Sequence, residues 1–206
     1  MKFSRTLLNV AAASALIGAA LPSQALTVFD LNIPAGATYG QVFLTQVGSD
    51  TVHVTVDLSN GYNFVDTGGH YSFAFSAGAG ASITGLTAGY TVAAGGPFDQ
   101  SGFGTFGYAI ACPVSCQGGN NSNVPNDIIN FDVNRASITE ASFTANGDGF
   151  TFAADLFGPN PTGGSMTFPV GAKTPVPAVP EPETYALLLA GLGVVGFMAR
   201  RRKQQA

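Results

Sequence analysis

Eight consecutive residues, Thr51-Val52-His53-Val54-Thr55-Val56-Asp57-Leu58, alternate polar and apolar without a break. Side chains along a strand point to opposite faces in turn. Val52, Val54, Val56 and Leu58 therefore share one face, and Thr51, His53, Thr55 and Asp57 share the other. A segment buried on one face and wet on the other belongs in an antiparallel sheet. Tyr71, Phe73 and Phe75 repeat the pattern against Ser72, Ala74 and Ser76. Shorter apolar runs place further strands at 27–33, 41–47, 81–86, 89–93, 103–110, 128–133, 137–145, 149–156 and 165–170.

No segment of the body sustains a 3.6-residue period. The chain holds 27 glycines, each of which weakens a helix interior by about 1 kcal/mol relative to alanine. Asn60-Gly61 and Asn146-Gly147-Asp148-Gly149 read as turns. The second joins 137–145 to 149–156 as a hairpin whose apolar side includes Ile138, Phe143, Phe150 and Phe152. The expectation is an all-β fold, an antiparallel β-sandwich of jelly-roll type, with sixteen Phe filling a core that has no Trp.

The net charge of −4 is unevenly distributed. Lys2 and Arg5 stand at the start and Arg200, Arg201, Arg202 and Lys203 near the end. Between Leu26 and Ala178 only Arg135 and Lys173 are basic, against ten acids, a balance of −8. Phosphate backbones would repel such a body, which argues against nucleic acid as a partner.

The ends read as addresses. Lys2 and Arg5 precede an apolar, Ala-rich run from Leu7 to Leu21, and Ser23-Gln24-Ala25 fits the small-x-small cleavage rule. Residues 1–25 are thus expected to be a signal peptide cleaved after Ala25, with a β domain at 26–172. Pro175 and Pro177 fall in a Pro-rich linker, 173–179. Tyr185 to Ala199 carries no charge. Fifteen helical residues reach about 22 Å, short of the ~30 Å hydrocarbon core unless the flanking arginines and Tyr185 reach the interfaces. Basic residues favour the cytoplasmic side, which puts the body outside the inner membrane.

Val179-Pro180-Glu181-Pro182-Glu183-Thr184-Tyr185, the apolar run Ala186 to Gly193 and the cluster Arg200-Arg201-Arg202 together resemble the PEP-CTERM sorting signal: a Pro-Glu-Pro motif, a short transmembrane helix and a basic stop, here at 180–203. The resemblance implies a Gram-negative bacterium that makes exopolysaccharide. It also implies transient anchoring in the inner membrane and processing near Pro180, Glu181 and Pro182 by an exosortase, a transpeptidase-like cysteine enzyme. The product would join the cell surface or the extracellular matrix. Phe98 to Phe168 more loosely resembles a subgroup of these proteins with a Cys-containing, Gly-rich loop and a Phe-rich hairpin, for which the resemblance implies no activity.

Other candidate chemistry is sparse. Cys112 and Cys116 are the only cysteines, and an even pair in an exported chain points to a disulfide. Neither the C-x-x-C spacing of a redox pair nor a zinc ligand set is present. His53 falls on the polar face of a strand, and His70 follows Gly68-Gly69 near Asp66. No G-x-S-x-G elbow accompanies them. Asn146 and Asp148 could contribute oxygens to a calcium loop, but the full loop pattern is missing. Gly191 to Gly196 matches G-x-G-x-x-G inside the apolar tail, without the strand and acid a dinucleotide site needs. The reading is a non-enzymatic surface or matrix protein with no cofactor. The alternatives are a carbohydrate-binding module using Tyr39, Tyr62, Tyr71, Tyr90 and Tyr108 as its platform and, more weakly, an extracellular hydrolase with paired carboxylates.

Overall fold

A computed structural model describes residues 26–59, 61–112, 116, 127–159, 164–177, 188–195 and 200. The described body is built from strands: β1 (Leu26–Leu31), β2 (Gly40–Gly48), β3 (Thr51–Leu58), β4 (Asn63–Phe64), β5 (Phe73–Phe75), β6 (Ser82–Thr84), β7 (Thr91–Val92), β8 (Phe98–Gln100), β9 (Gly104–Phe106), β10 (Tyr108–Ala111), β11 (Ile128–Asn134), β12 (Phe152–Pro159) and β13 (Ser165–Ala172). Every ladder is antiparallel.

One sheet runs β1-β2-β3-β11-β6, and the other β13-β12-β5-β10-β7 with β4 also beside β12. Their inner faces share one core. Val42, Leu44, Val52, Val54, Val56, Ile129 and Phe131 come from the first sheet, and Phe73, Phe75, Ile110, Phe152 and Leu156 from the second. The aromatic centre is continuous: Phe73 stacks on Phe152 at 5.6 Å, and Phe75 meets Phe131 at 5.3 Å. Burying each such ring contributes about 1.5–3 kcal/mol relative to leaving it in water.

The all-β sandwich expected from the alternation is present, but not the jelly-roll winding. In a jelly roll, two Greek keys carry the chain between sheets. Here β1, β2 and β3 follow one another as a meander in one sheet, and β11 joins beside β3. Strand β3 alternates as read, its buried side chains being Val52, Val54, Val56 and Leu58.

Strand β5 departs from the reading. Ser72 and Ala74, assigned to a wet face, are fully buried along with Phe73 and Phe75. The hairpin β8–β9 covers the outside of the second sheet, and Phe98, Phe103 and Phe106 pack there with Ala74, Ala109, Phe150 and Ala153 as a second core. The body therefore has a partial third layer.

The segment 137–145 is likewise not a strand. Ser137 sits at φ 55°, in the left-handed region where a strand cannot continue. A single 3₁₀ turn, Glu140–Ser142, follows, with Thr139 N donating to Ser142 Oγ at 3.1 Å. Ile138 and Phe143 are buried as expected, but they reach the core from a turn. The adjoining turn forms as read: Gly149 sits at φ 83°, and Asn146 N donates to Phe150 O at 2.9 Å.

Candidate functional site

The root of the C-terminal segment lies in the Pro-rich stretch. After β13 the chain crosses from the edge of the second sheet to the edge of the first. Gly171 N donates to Ile33 O at 2.8 Å, Pro175 is bridged to Phe29, and Val176 N donates to Val28 O at 2.7 Å. Proline lacks an N–H and is tolerated at such an edge. The pairing covers the open side of β1, which would otherwise present free backbone groups. Hydrogen bonding of the body thus continues past Ala172, through the first half of the segment read as a linker. Lys173 contributes as well: its O accepts from Thr151 Oγ1 at 2.9 Å, and its Nζ lies 4.3 Å from the centre of the Phe150 ring.

Of the sorting segment, residues 188–195 form an exposed helix, and Arg200 is exposed and helical. Pro180, Glu181, Pro182, Arg201, Arg202 and Lys203 fall outside the described residues, as do Ala25 and the rest of 1–25. Among the described residues no helix is long and apolar enough to cross a membrane.

Cys112 and Cys116 are joined as a disulfide, and both are buried against the main core. Next to Cys112 lies a polar cluster that the sequence reading missed. Asp66 Oδ1 accepts from Ser72 N at 2.6 Å and Ser72 Oγ at 2.7 Å, and its Oδ2 accepts from Cys112 N at 3.1 Å. Asp155, fully buried in β12, accepts through Oδ2 from Thr67 N at 2.8 Å and from Thr67 Oγ1. The two carboxylates clasp the loop between β4 and β5 from either end. Burial raises the pKa of each. The Asp155 carboxyl is pushed up to about 6, with the Thr67 hydrogen bonds and His70 opposing the rise and Asp66 adding to it. For Asp66 the hydrogen bonds from Ser72 and Cys112 work against the desolvation. Asp155 Oδ1, His70 Nδ1 and the Tyr90 hydroxyl are buried without a hydrogen-bond partner among the described residues. Burial, with the charges of Asp66 and Asp127 behind it, holds the Tyr90 hydroxyl well above the usual phenol range. One signal was available in the sequence. Phe152-Ala153-Ala154-Asp155-Leu156-Phe157 does not alternate, which marks a strand covered on both faces, and an acid inside it must be buried.

The remaining candidates are dispersed. His53 Nδ1 lies 2.6 Å from Asp132 Oδ1 on the outer face of the first sheet, half exposed. The same face carries a ladder in which Thr51 donates to Asn134 at 2.9 Å and Thr55 to Asn130 at 2.7 Å. His70 is on the other sheet's loop, so the two histidines do not meet. Asn146 Oδ1 accepts from the N–H groups of Asp148 and Phe150, and its amide donates to Phe103 O. These bonds occupy the oxygen that a calcium ion would need. No three or more His, Cys, Asp or Glu side chains are grouped to hold a metal among the described residues. The five tyrosines do not assemble into a platform. Tyr39 and Tyr90 are buried, Tyr39 and Tyr62 meet edge to face at 5.5 Å, and Tyr71 packs on Phe98 at 5.1 Å.

No curated protein and no solved structure matches the chain. Residues 178–203 match the PEP-CTERM protein-sorting motif. That span begins two residues after the last described backbone bond to β1, so the motif follows almost directly on the folded body. The chain thus carries a PEP-CTERM protein-sorting motif, the mark of an exported protein sorted by an exosortase.

Proposed function

We propose that this protein is a non-enzymatic component of the cell surface or extracellular matrix, associated with exopolysaccharide. Residues 1–25 direct export and are removed after Ala25. Residues 185–199 hold the chain in the inner membrane with the body on the periplasmic side, and Arg200, Arg201, Arg202 and Lys203 stop it there. Exosortase then processes the chain near Pro180-Glu181-Pro182 and releases an acidic β domain to its destination.

The single observation behind this reading is the motif match at 178–203, in which all three parts stand in order. The commitment of the polar side chains supports the non-enzymatic part. Asp66 and Asp155 hold a loop, and His53 is paired with Asp132. The carbohydrate-binding reading ranks second because it leans on aromatic side chains, of which Tyr39 and Tyr90 are buried. The test compares the location of the full chain and of a chain lacking 180–206 in the producing cell. The full chain is expected in the surface or matrix fraction and the shortened one in the periplasm. Equal delivery of both to the matrix would overturn the proposal.

A further inference from the structure

Strand β1 begins at Leu26, one residue after the expected cleavage site, and Val176 is bonded to Val28 on its free edge. The pairing is antiparallel, with Phe29 opposite Pro175. The beginning and the end of the described body therefore leave from the same end of the same strand. From Leu21, where the first apolar run stops, to Leu26 the chain spans at most about 17 Å. From Val176 to Tyr185, where the second apolar run starts, it spans at most about 30 Å. A body of this length has a radius of gyration of about 15 Å and measures roughly 38 Å across. The first tether lasts only until cleavage after Ala25, but the second alone is shorter than the body it holds, so a chain anchored by its tail cannot turn its far side to the bilayer.

Part of the exposed apolar surface stands at this exit point. The body's exposed large apolar side chains, among the described residues, are Leu26, Val47, Val92, Ile128, Met166 and Val176. Leu26 and Val176 flank the exit point. Val47 lies in the bulge at the end of β2, two residues beyond Thr45, the partner of Leu26. Leu26 and Val47 are the two most exposed of the six, at 54% and 50%. The nearby acids have partners: Asp30 accepts from Gln41 Nε2 at 2.9 Å, and Asp50 accepts from Ser137 N at 2.8 Å.

We propose that this end of β1, with Leu26, Val47 and Val176, rests on the lipid surface while the tail is anchored, and so fixes the orientation in which the body is presented for processing. The occupant is the zwitterionic lipid interface, since the −8 balance of the body disfavours an anionic one. This inference rests on the anchoring reading above.

The chain has no tryptophan, so a single introduced one reports its own surroundings. The chain from Leu26 through the tail, carrying Val47→Trp and separately Val92→Trp, would be reconstituted into phosphatidylcholine vesicles containing brominated phosphatidylcholine. Val92 lies on β7, the edge of the second sheet away from β13, and is 44% exposed. Quenching several-fold stronger at position 47 than at 92 is expected. Leu26→Trp gives a second measurement on the same surface should Val47→Trp misfold. Equal quenching in a chain that floats with the vesicles would overturn the orientation and leave the anchoring intact. A chain that does not float with the vesicles would overturn the anchoring, and the orientation with it.

Discussion

Replacing Asp155 by asparagine isolates one buried carboxyl whose effect on stability must change with pH. Asp155 is fully buried, and among the described residues only its Oδ2 finds a hydrogen-bond partner. Its pKa is raised from 3.8 to about 6, with burial as the largest cause. The folded state therefore binds this proton more tightly than the unfolded chain does. Below the unfolded value both states are protonated, and no penalty exists. Between that value and about 6 the folded state keeps the proton that the unfolded state has lost, so stability falls as pH rises. Above the folded value the full penalty is in force. About two pKa units at 1.36 kcal/mol each set it at about 3 kcal/mol.

In Asp155→Asn the amide oxygen can still accept from Thr67 N and Thr67 Oγ1, but its NH2 takes the place of Oδ1, which has no partner among the described residues, and a buried donor left unpaired costs about 1 kcal/mol. The variant should therefore be more stable than the natural chain by about 1–2 kcal/mol near pH 8, and equal or slightly less stable near pH 4. Thermal unfolding followed by far-UV circular dichroism at several pH values gives the difference directly. Subtracting the two profiles removes the titration of the other acids, except for coupling through Asp66. A difference that stays constant across this range, or that grows toward acid, would refute the assignment of a raised pKa to Asp155.

Two further outcomes follow from the packing. Gly171→Ala would place a Cβ 2.5 Å from the Phe103 ring and 2.9 Å from the Phe150 ring. Overpacking of this kind costs about 1–3 kcal/mol, so the melting temperature should fall by at least a few degrees; an unchanged value would contradict the second core. The Cys112–Cys116 disulfide closes a small loop, so replacing both residues by alanine should cost about 2 kcal/mol in the chain-entropy picture, checked by denaturant unfolding; a much larger loss would show that the link organises more of the body than its own loop.

The sorting signal was legible without any structure. It is a linear address, defined by the order of a Pro-Glu-Pro motif, an apolar run and an arginine cluster, and recognition of such a pattern needs no distant contact. The same holds for β3: its alternation records burial on one face, which is a local property. The segment 137–145 reads as a strand in the sequence for a matching reason. Its apolar residues are buried, but the left-handed turn at Ser137 and the bond of Thr144 N to Ser76 O at 3.1 Å are set by tertiary partners. Ser72 and Ala74 were assigned to water because the covering hairpin β8–β9 begins more than twenty residues later.

Composition and periodicity by themselves pointed to an acidic, all-β body, and the resemblance of the tail to the PEP-CTERM signal pointed to export and a membrane-bound sorting enzyme. The tertiary structure alone decided three other matters. It set a meander in place of Greek keys, because strand order depends on which edges meet. It brought Asp66 and Asp155 to one loop from positions 89 residues apart, because such proximity is a property of the assembled layers. It also returned the Pro-rich root of the tail to β1, so that both ends of the body leave from one edge, because only folding can close the distance between Val28 and Val176.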